Sequence, residues 1–360
     1  MGVALFNADT LNLILRQFAI FDGEYTFQPM TSGLINDTFL VSLANRPLYV
    51  LQRINHNVFP NVSGLVENID QALTHLHSET YTQLQLIKTK AEKTYYTGQE
   101  EPVNYWKLIA FIEGSQTFDN PPNEKVAFEA GRIIGQFHTL LQKSDVTTFV
   151  DTIPRFHDLS LRREQFHEAL KTANPKNLAS AKIAISFAND IISELNAMQI
   201  GNLPVRVCHN DTKLNNILFS KKSKKALCLI DLDTLMAGYF HYDFGDAVRT
   251  IANTAAEDEQ DHDKITFEKP LFEVFVRGLA SNGKFLSKEE IHSLPYGVLL
   301  MPFLHGLRAL TDYLQNNKYY KVSYENQNLD RALSLFDFTQ KALSELEYFK
   351  TTINRILKPL

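Results

Sequence analysis

The stretch VCHNDTKLNNILF, Val207–Phe219, decides the fold, because it places a dense polar cluster between two apolar segments. Val207 and Cys208 predict the end of one buried strand, and Ile217–Phe219 predict the start of another. The loop between them carries an acid, a lysine and three asparagines. Polar groups are seldom buried without a partner, so their position between strands indicates a site rather than ordinary packing.

The residues after this loop predict a hairpin. The segment KKSKK, residues 221–225, supplies the turn, and residues 226–230 return as a strand that ends at Asp231. A fold near Ser223 brings Ile217 opposite Ile230, so that Asn216 and Asp231 meet at the open end. An amide oxygen and a carboxylate suit Mg²⁺, which takes its remaining ligands from water and substrate phosphates. The sequence therefore predicts a nucleotide-metal site at Asn216 and Asp231.

The loop itself has the spacing of a kinase catalytic loop. Asp211 lies five residues before Asn216, with Lys213 between them. In that arrangement the aspartate accepts the proton of the acceptor hydroxyl, the lysine neutralises the γ-phosphate and the asparagine holds metal. His209 is expected to brace the loop. Asp233 has two interpretations, as a second metal or water ligand or as a partner for nearby backbone amides.

Length and composition limit the class of protein. The chain has 360 residues, is 44% hydrophobic and carries a net charge of -5, which favours two lobes and small-molecule partners over nucleic acid or an anionic membrane. No run approaches the roughly 20 apolar residues of a membrane span, and residues 1–20 lack the features of a signal peptide, so we expect a cytoplasmic protein. Cys208 and Cys228 lie in apolar runs and are expected to be buried free thiols.

Periodicity divides the chain into a strand-rich first lobe, residues 1–112, and a mostly helical second lobe, residues 113–360. The first lobe is predicted to hold helices over residues 9–20 and from about residue 62, and strands over residues 25–30, 35–43, 47–54, 84–89 and 104–114. The second lobe is predicted to hold helices over residues 123–142, 160–172, 178–198 and 285–350, the last with breaks at Pro295, Pro302 and Asn316–Asn317. The fold class is α+β.

Three motifs then identify a resemblance. HNDTKLNNIL at 209–218, IDLDT at 230–234 and YDFGDAVR at 242–249 resemble the aminoglycoside phosphotransferase and choline kinase superfamily. Within it the chain is most similar to the bacterial N-acetylhexosamine 1-kinases, which also show stretches like SGLINDTFLV, YVLQRIN, AEDE and GLRALTDYL. The resemblance spans nearly the whole chain and implies a protein-kinase-like two-lobed fold, with ATP and Mg²⁺ as cofactors.

The resemblance also implies roles for individual residues. Asp211 would be the base, with Asn216 and Asp231 as the Mg²⁺ ligands. Asp243 and Asp246 would hold the catalytic-loop backbone, and Arg249 would pair with one of them. The implied nucleotide-binding residues are Thr31, Ser32, Gly33, Asn36 and Thr38 of the phosphate-covering turn, Gln52, Asp70, and Phe111, Ile112 and Glu113 of the hinge that meets adenine. The implied substrate-binding residues are Leu34, Asp211, Arg308 and Tyr319.

Departures from the superfamily pattern affect the first lobe. Gln52 stands where many members carry a lysine or arginine for the nucleotide phosphates, and alternation points the neighbouring Arg53 to the other face of the sheet. Asp70, or less favourably Glu67, would be the acid of the first-lobe helix. Leu34 replaces a histidine that lies close to the substrate of the sugar kinase.

Three functions follow as hypotheses. The first is an ATP-dependent kinase that phosphorylates the anomeric hydroxyl of an N-acetylhexosamine or related sugar. The second is a kinase for another small alcohol, such as choline, homoserine or an aminoglycoside. The third, prompted by Gln52, is an inactive nucleotide-binding module. Arg308 and Tyr319 also have interpretations without a functional role. Arg308 could be a surface ion-pair residue, and Tyr319 could lie at the edge of an amphipathic core.

Overall fold

An antiparallel sheet and two helices form the first part of the chain in the computed structural model, which describes residues 6–30, 35–98, 103–198 and 200–360. The strands lie in the order β1-β2-β3-β5-β4. The bounds are α1 Ala8–Leu15, β1 Tyr25–Met30, β2 Asp37–Leu43, β3 Arg46–Ile54, α2 Val62–Leu73, β4 Tyr96–Thr97 and β5 Tyr105–Ala110.

The remainder of the chain is mostly helical and carries two small sheets. Its strands are β6 Ser115–Gln116, β7 Arg206–Cys208, β8 Ile217–Ser220, β9 Ala226–Leu229 and β10 Met236–Gly238. Its helices are α3 Glu124–Leu141, α4 Leu159–Thr172, α5 Pro175–Ser180, α6 Lys182–Ala197, α7 Phe240–Ile251, α8 Lys269–Ala280, α9 Lys288–Leu314, α10 Gln327–Ser344 and α11 Leu346–Ile356. This architecture confirms the predicted α+β fold, with an antiparallel first lobe and a helical second lobe.

Two hydrophobic cores divide these elements. The smaller core lies between α1 and the outer face of the sheet, around Phe39, Leu51 and Trp106. The larger core fills the helical part and also takes in helix α2. The division at residue 112 stays a prediction, because the larger core draws side chains from both sides of that position.

The first lobe differs from the predicted elements in two places. Helix α1 ends at Leu15 rather than near residue 20. Residues 84–89 run extended beside β5 without forming an assigned strand, and Ile87 N–H donates to the Leu108 carbonyl at 2.8 Å. The first difference concerns the length of a helix and the second the regularity of a strand.

Helix α9 corrects the predicted breaks at Pro295 and Pro302, because it runs through both prolines for 27 residues. Proline removes a backbone hydrogen bond and usually ends a helix. Here both prolines are buried, and α9 packs closely on α7, so that a Cβ on Gly297 would lie 2.1 Å from the His241 carbonyl oxygen. Tertiary packing therefore outweighs the local preference.

The hairpin β8–β9 forms as predicted, with its register displaced by one residue. Ile217 lies opposite Leu229, not Ile230. Ile230 N–H donates instead to the Asn216 carbonyl at 2.8 Å. The displacement still leaves Asn216 and Asp231 at the open end of the hairpin.

Across the described ranges, we find no helix with the length and apolar character that a membrane crossing requires.

Candidate active site

The catalytic loop joins β7 to β8 and brings Asp211, Lys213 and Asn216 together. Lys213 Nζ lies 3.1 Å from Asp211 Oδ2. Asn216 Nδ2 donates to Asp211 Oδ2 and to the Asp211 backbone carbonyl, each at 2.8 Å. A single turn of 3₁₀ helix, Leu214–Asn216, closes the loop and makes these contacts possible. Three side chains predicted to act together are therefore in direct contact.

Asp243, at the start of α7, holds the loop from below. Its carboxylate accepts hydrogen bonds from the backbone N–H groups of His209 at 2.8 Å and Asn210 at 2.7 Å. Its backbone carbonyl accepts the Thr212 hydroxyl at 2.6 Å. Asp243 is fully buried, so these bonds form in a low-dielectric environment and fix the loop firmly. This is the supporting role expected of Asp243.

Two histidines brace the same loop. His209 Nδ1 accepts from Asp211 N–H at 3.2 Å, and its Nε2 donates to the Ile230 carbonyl at 2.8 Å. His157 Nε2 donates to the Asn210 carbonyl at 3.0 Å. Asn210 has a φ of 62°, a conformation that non-glycine residues seldom adopt, so these contacts hold a strained turn.

Asp246 differs from its expected role, because it pairs with side chains and does not contact the catalytic-loop backbone. Arg249 Nε lies 2.6 Å from Asp246 Oδ1, and His305 Nε2 lies 3.2 Å from the same oxygen. Arg249 also pairs with Glu257. Asp246 lies almost one turn beyond Asp243 along α7, so its side chain is displaced along the helix axis from the loop and meets His305 of α9.

Asn216 and Asp231 have the donor atoms that a hard cation requires. Since Asn216 uses its amide nitrogen toward Asp211, its Oδ1 is left to face the cleft. Asp231 adopts a left-handed conformation, φ 60°, at the end of β9. Among the described residues its carboxylate has no hydrogen-bond or ion-pair partner, although it borders the cleft. These two oxygen donors fit Mg²⁺.

Asp233 is held by side chains of the first lobe, rather than by the backbone amides considered from the sequence. Lys107 Nζ pairs with its Oδ1, and Asn36 Nδ2 donates to its Oδ2 at 2.7 Å. Lys107 and Asp233 are only 1% and 2% exposed. Burial lowers the pKa of Lys107 to about 8, while the negative charge of Asp231 acts in the opposite direction.

A cavity of about 300 Å³ lies between the two parts of the chain, where the nucleotide cleft is predicted. Thr38, Gln52, Phe111 and Ile112 border it, and Gln52 Nε2 donates to Thr38 Oγ1 at 3.2 Å. Asn36 instead borders an adjoining cavity, lined also by Asp211, Arg308 and Tyr320 and called here the acceptor cavity. Thr31, Ser32, Gly33 and Leu34 lie outside the described residues.

Glu113 and Asp70, both expected at the nucleotide, do not border the cleft. Glu113 points away from the cleft and pairs with Arg46 at 2.6 Å, with 71% of its side chain exposed. Asp70 is exposed on α2, because helical spacing places it on the same face as Ser63 and Glu67. The polar residue that α2 turns inward is Asn68, which donates to the carbonyls of Val150 and Leu235 at 2.8 Å each.

The acceptor cavity adjoins the cleft and is lined with aromatic, cationic and acidic side chains. The Arg308 guanidinium lies 4.9 Å from the Phe156 ring centroid, 5.8 Å from that of Tyr319 and 5.9 Å from that of Tyr320. Tyr320 borders the same cavity as Asp211, whereas Tyr319 is 48% exposed and borders the next cavity outward. Arg308 therefore borders the same cavity as Asp211, and Tyr320 lies between Arg308 and Arg331.

Sequence reasoning missed Lys107, Tyr320 and Arg162. Lys107 had a visible signal, because it is the single charge inside the apolar run YWKLIAF. Tyr320 directly follows Tyr319, and choosing between the two required the structure. Arg162 borders the same outward cavity as Tyr319 and donates to the Phe156 carbonyl at 2.7 Å, a contact that no local pattern predicts.

Comparison with known proteins decides the family. Residues 26–273 match the model of the phosphotransferase enzyme family, APH. The chain belongs to that family. It is therefore a small-molecule phosphotransferase of the APH and choline kinase group, as the motifs around Asp211 predicted.

Solved structures share its fold at low identity. A microcompartment-associated aminopropanol kinase has a TM-score of 0.62 and 16% identity, with 96% of this chain and 99% of that chain covered. Choline kinase from Cryptosporidium parvum has a TM-score of 0.60 and 13% identity over 97% and 99% of the two chains. A spectinomycin phosphotransferase in complex with ADP and spectinomycin has a TM-score of 0.57 and 13% identity over 97% and 100%.

Proposed function

We propose that the protein is an ATP- and Mg²⁺-dependent kinase that phosphorylates the anomeric hydroxyl of an N-acetylhexosamine or related sugar. The observation that carries the proposal is the position of the Asp211–Lys213–Asn216 cluster between the two cavities. Lys213 and Asp231 border both the nucleotide cleft and the acceptor cavity, and Asp211 borders the acceptor cavity. Phosphoryl transfer depends mainly on such positioning and on charge stabilisation.

The nucleotide would place adenine against the backbone of Phe111 and Ile112. Among the described residues, the Ile112 N–H has no acceptor, so it is available to the base. The phosphates would then extend toward Thr38, Gln52 and Lys213. Mg²⁺ held by Asn216 and Asp231 would neutralise charge on the phosphates.

Asp211 would accept the proton as the acceptor oxygen bonds to the γ-phosphorus and ADP leaves. Lys213 suits the role of neutralising the transferred group. Burial acts to lower its pKa, but Asp211 and Asp231 outweigh that effect and raise the pKa of Lys213 above its usual value. Lys213 therefore stays protonated through the neutral range.

The positive charge around Arg308 favours a neutral sugar over a cationic alcohol at that part of the acceptor cavity. Among the described residues, the Arg308 guanidinium has no carboxylate partner, and the neighbouring Arg162 adds a second positive charge. Glu257, which borders the same cavity as Arg308, pairs with Arg249 and lies 3.8 Å from Arg331. A quaternary or primary ammonium placed beside Arg308 and Arg162 would meet repulsion, whereas sugar hydroxyls can accept from guanidinium donors.

Position C1 rests on the resemblance around Asp211 and Arg308, together with the chemistry of the hydroxyl. The ring oxygen makes the anomeric hydroxyl more acidic than the other sugar hydroxyls, so a single carboxylate base can activate it. Leu34, in place of histidine, suggests altered affinity for N-acetylglucosamine or preference for another sugar.

A second candidate is a kinase for an amino alcohol, favoured by the aminopropanol and choline kinases among the similar structures. The two candidates differ in acceptor charge. The composition further favours a cytoplasmic enzyme without a nucleic-acid partner.

A panel of hexosamines, choline and amino alcohols incubated with ATP and Mg²⁺ tests the proposal by phosphorus NMR. A product phosphorus coupled to the anomeric proton is expected. Arg308→Ala should raise KM for the sugar about 10- to 100-fold, since charged hydrogen bonds contribute about 1.5–3 kcal/mol. A product with a free reducing end, or consumption of choline alone, contradicts the sugar 1-kinase, and absence of any ATP turnover supports the inactive module.

A further inference from the structure

Among the described residues of the sheet, Lys107 is the lysine that borders the cleft. It lies on β5, and not at position 52 of β3, where many superfamily members carry the cation for the nucleotide phosphates. Gln52 on β3 pairs directly with Lys107 on β5. Residues directly opposite each other on neighbouring strands point to the same face, and both side chains border the cleft. Arg53 lies on the other face, where its guanidinium pairs with Asp37 and donates to Asn104. Lys107 is thus the cation that the described part of the sheet turns toward the nucleotide cleft.

Lys107 finds its acid in the second lobe. Helix α2 has only two acids, Glu67 and Asp70, and both are exposed. The ammonium therefore pairs with Asp233, and both members are almost fully buried. Because Asn36 Nδ2 occupies the second oxygen of Asp233, each oxygen of that carboxylate already faces a donor.

We propose that the Lys107 ammonium takes the place of a second metal ion, so that the cleft binds a single divalent cation, at Asn216 and Asp231. The inference rests on the proposed function, since it concerns the metal that accompanies the nucleotide. Asn216 borders the cleft, Asp233 borders the adjoining acceptor cavity and Asp231 borders both. Lys107 removes Asp233 from this set of oxygen side chains.

Electrostatics supports this assignment. A free carboxylate at Asp233, close to Asp231, would form a doubly negative site that attracts a second divalent ion. The buried ammonium neutralises that charge from inside the protein. An incoming cation would have to displace Lys107 and would be repelled by it, and it would also meet the N–H of Asn36 rather than a lone pair.

Counting bound Mn²⁺ by electron paramagnetic resonance, with a non-hydrolysable ATP analogue present, tests the proposal on the intact protein. One Mn²⁺ per chain is expected. Two per chain with the analogue bound would overturn the inference and leave the kinase proposal standing. If neither analogue nor Mn²⁺ binds, the kinase proposal fails and takes this inference with it.

Variants sharpen the count. Lys107→Met removes the ammonium and should admit a second Mn²⁺. Arg53→Met removes a cation from the opposite face of the same sheet and should keep the count at one. A folded Lys107→Met protein that still binds one Mn²⁺ contradicts the proposal.

The double variant Lys107→Met/Asp233→Asn keeps the proposal testable even where Lys107→Met alone does not fold. It removes both charges of the pair together, so no buried charge is left unpaired. We expect one Mn²⁺, bound within about threefold of the wild-type affinity. Binding weaker by more than about tenfold would mean that Asp233 is itself a metal ligand. Loss of a residue that only supports a metal ligand typically lowers metal affinity about 10- to 100-fold, and loss of a ligand itself lowers it at least as much.

Discussion

Two lysines face the nucleotide cleft from opposite walls, and they differ in burial and in the charges around them. Lys213, on the catalytic loop, keeps 28% of its side chain exposed and lies 3.1 Å from Asp211. Lys107, on the sheet, is 1% exposed and pairs with Asp233. Burial lowers the pKa of Lys107 to about 8, whereas at Lys213 the neighbouring acids outweigh burial and raise the pKa.

The difference separates a lysine that can serve the reaction from one that serves the architecture. Lys213 can exchange its contact with Asp211 for a phosphate oxygen without leaving solvent. Lys107 cannot move without leaving a carboxylate buried and unpaired, which is costly. The side of the cleft formed by the catalytic loop, here the catalytic wall, can thus exchange its ionic contact for one with substrate. The side formed by the sheet, here the sheet wall, keeps its ion pair.

Changing the base should produce the largest effect on the catalytic wall. Asp211→Asn should lower kcat about 10²- to 10⁴-fold, because general base catalysis contributes that much, while nucleotide affinity stays nearly unchanged. Steady-state kinetics and titration with an ATP analogue measure the two quantities. Asp145→Asn, which alters an exposed cap far from the cleft, is the matched control. Retention of more than about a tenth of wild-type kcat would refute the assignment.

Removing each lysine tests the contrast directly. Lys107→Met should destabilise the protein by about 3–5 kcal/mol, as expected when one member of a buried pair is lost. Lys213→Met should change stability by less than about 1 kcal/mol but lower kcat roughly 10- to 100-fold, in line with lost charge-assisted hydrogen bonds. Urea unfolding and kinetics on both variants separate the roles. Equal losses of stability would break the comparison.

Asn216 and Asp231 should behave as one site. Each alanine variant is expected to weaken Mg²⁺-dependent ATP binding, and the double variant should lose less than the sum, with a coupling of about 1–3 kcal/mol. Titrating Mg²⁺ into the single and double variants measures that coupling. Additive losses would mean that the two side chains hold different ions.

The same contrast explains which parts of the site could be predicted from sequence. Asp211, Lys213 and Asn216 lie within six residues, so their spacing alone indicates their contact. Lys107 meets Asp233 across 126 residues, through a strand register that no local pattern fixes. The catalytic wall was therefore predictable, and the sheet wall was not.

The fold shows the same limit. Alternation and helical periodicity predicted the antiparallel first lobe and the helical second lobe, because these signals are local. The breaks at Pro295 and Pro302 were wrong, since burial of α9 against its neighbours overrides the local preference of proline. Asp70 lies on the exposed face of α2 that it shares with Glu67, which helical spacing indicates and the resemblance does not.

The smallest effect concerns the support of the catalytic loop. Burial lowers the pKa of His157 to about 3, with the neighbouring His305 acting in the same direction, so His157 is neutral when it donates to the Asn210 carbonyl. In the unfolded chain a histidine titrates near 6.5, so between pH 6.5 and 3 the unfolded state binds a proton that the folded state does not. Stability is therefore expected to fall as pH drops below about 6.5, by about 1 kcal/mol between pH 7 and 5.5 from this group.

His157→Gln isolates that contribution, since its amide can still donate to the Asn210 carbonyl but does not titrate. Urea unfolding at pH 7 and 5.5 should show a loss of stability that is about 1 kcal/mol smaller in the variant than in the wild type. His241, whose pKa burial also lowers to about 3, remains in both proteins and cancels in the difference. Equal losses in the two proteins would mean that His157 gains its proton in the folded state. The assignment of His157 as a neutral donor to the Asn210 carbonyl would then be wrong.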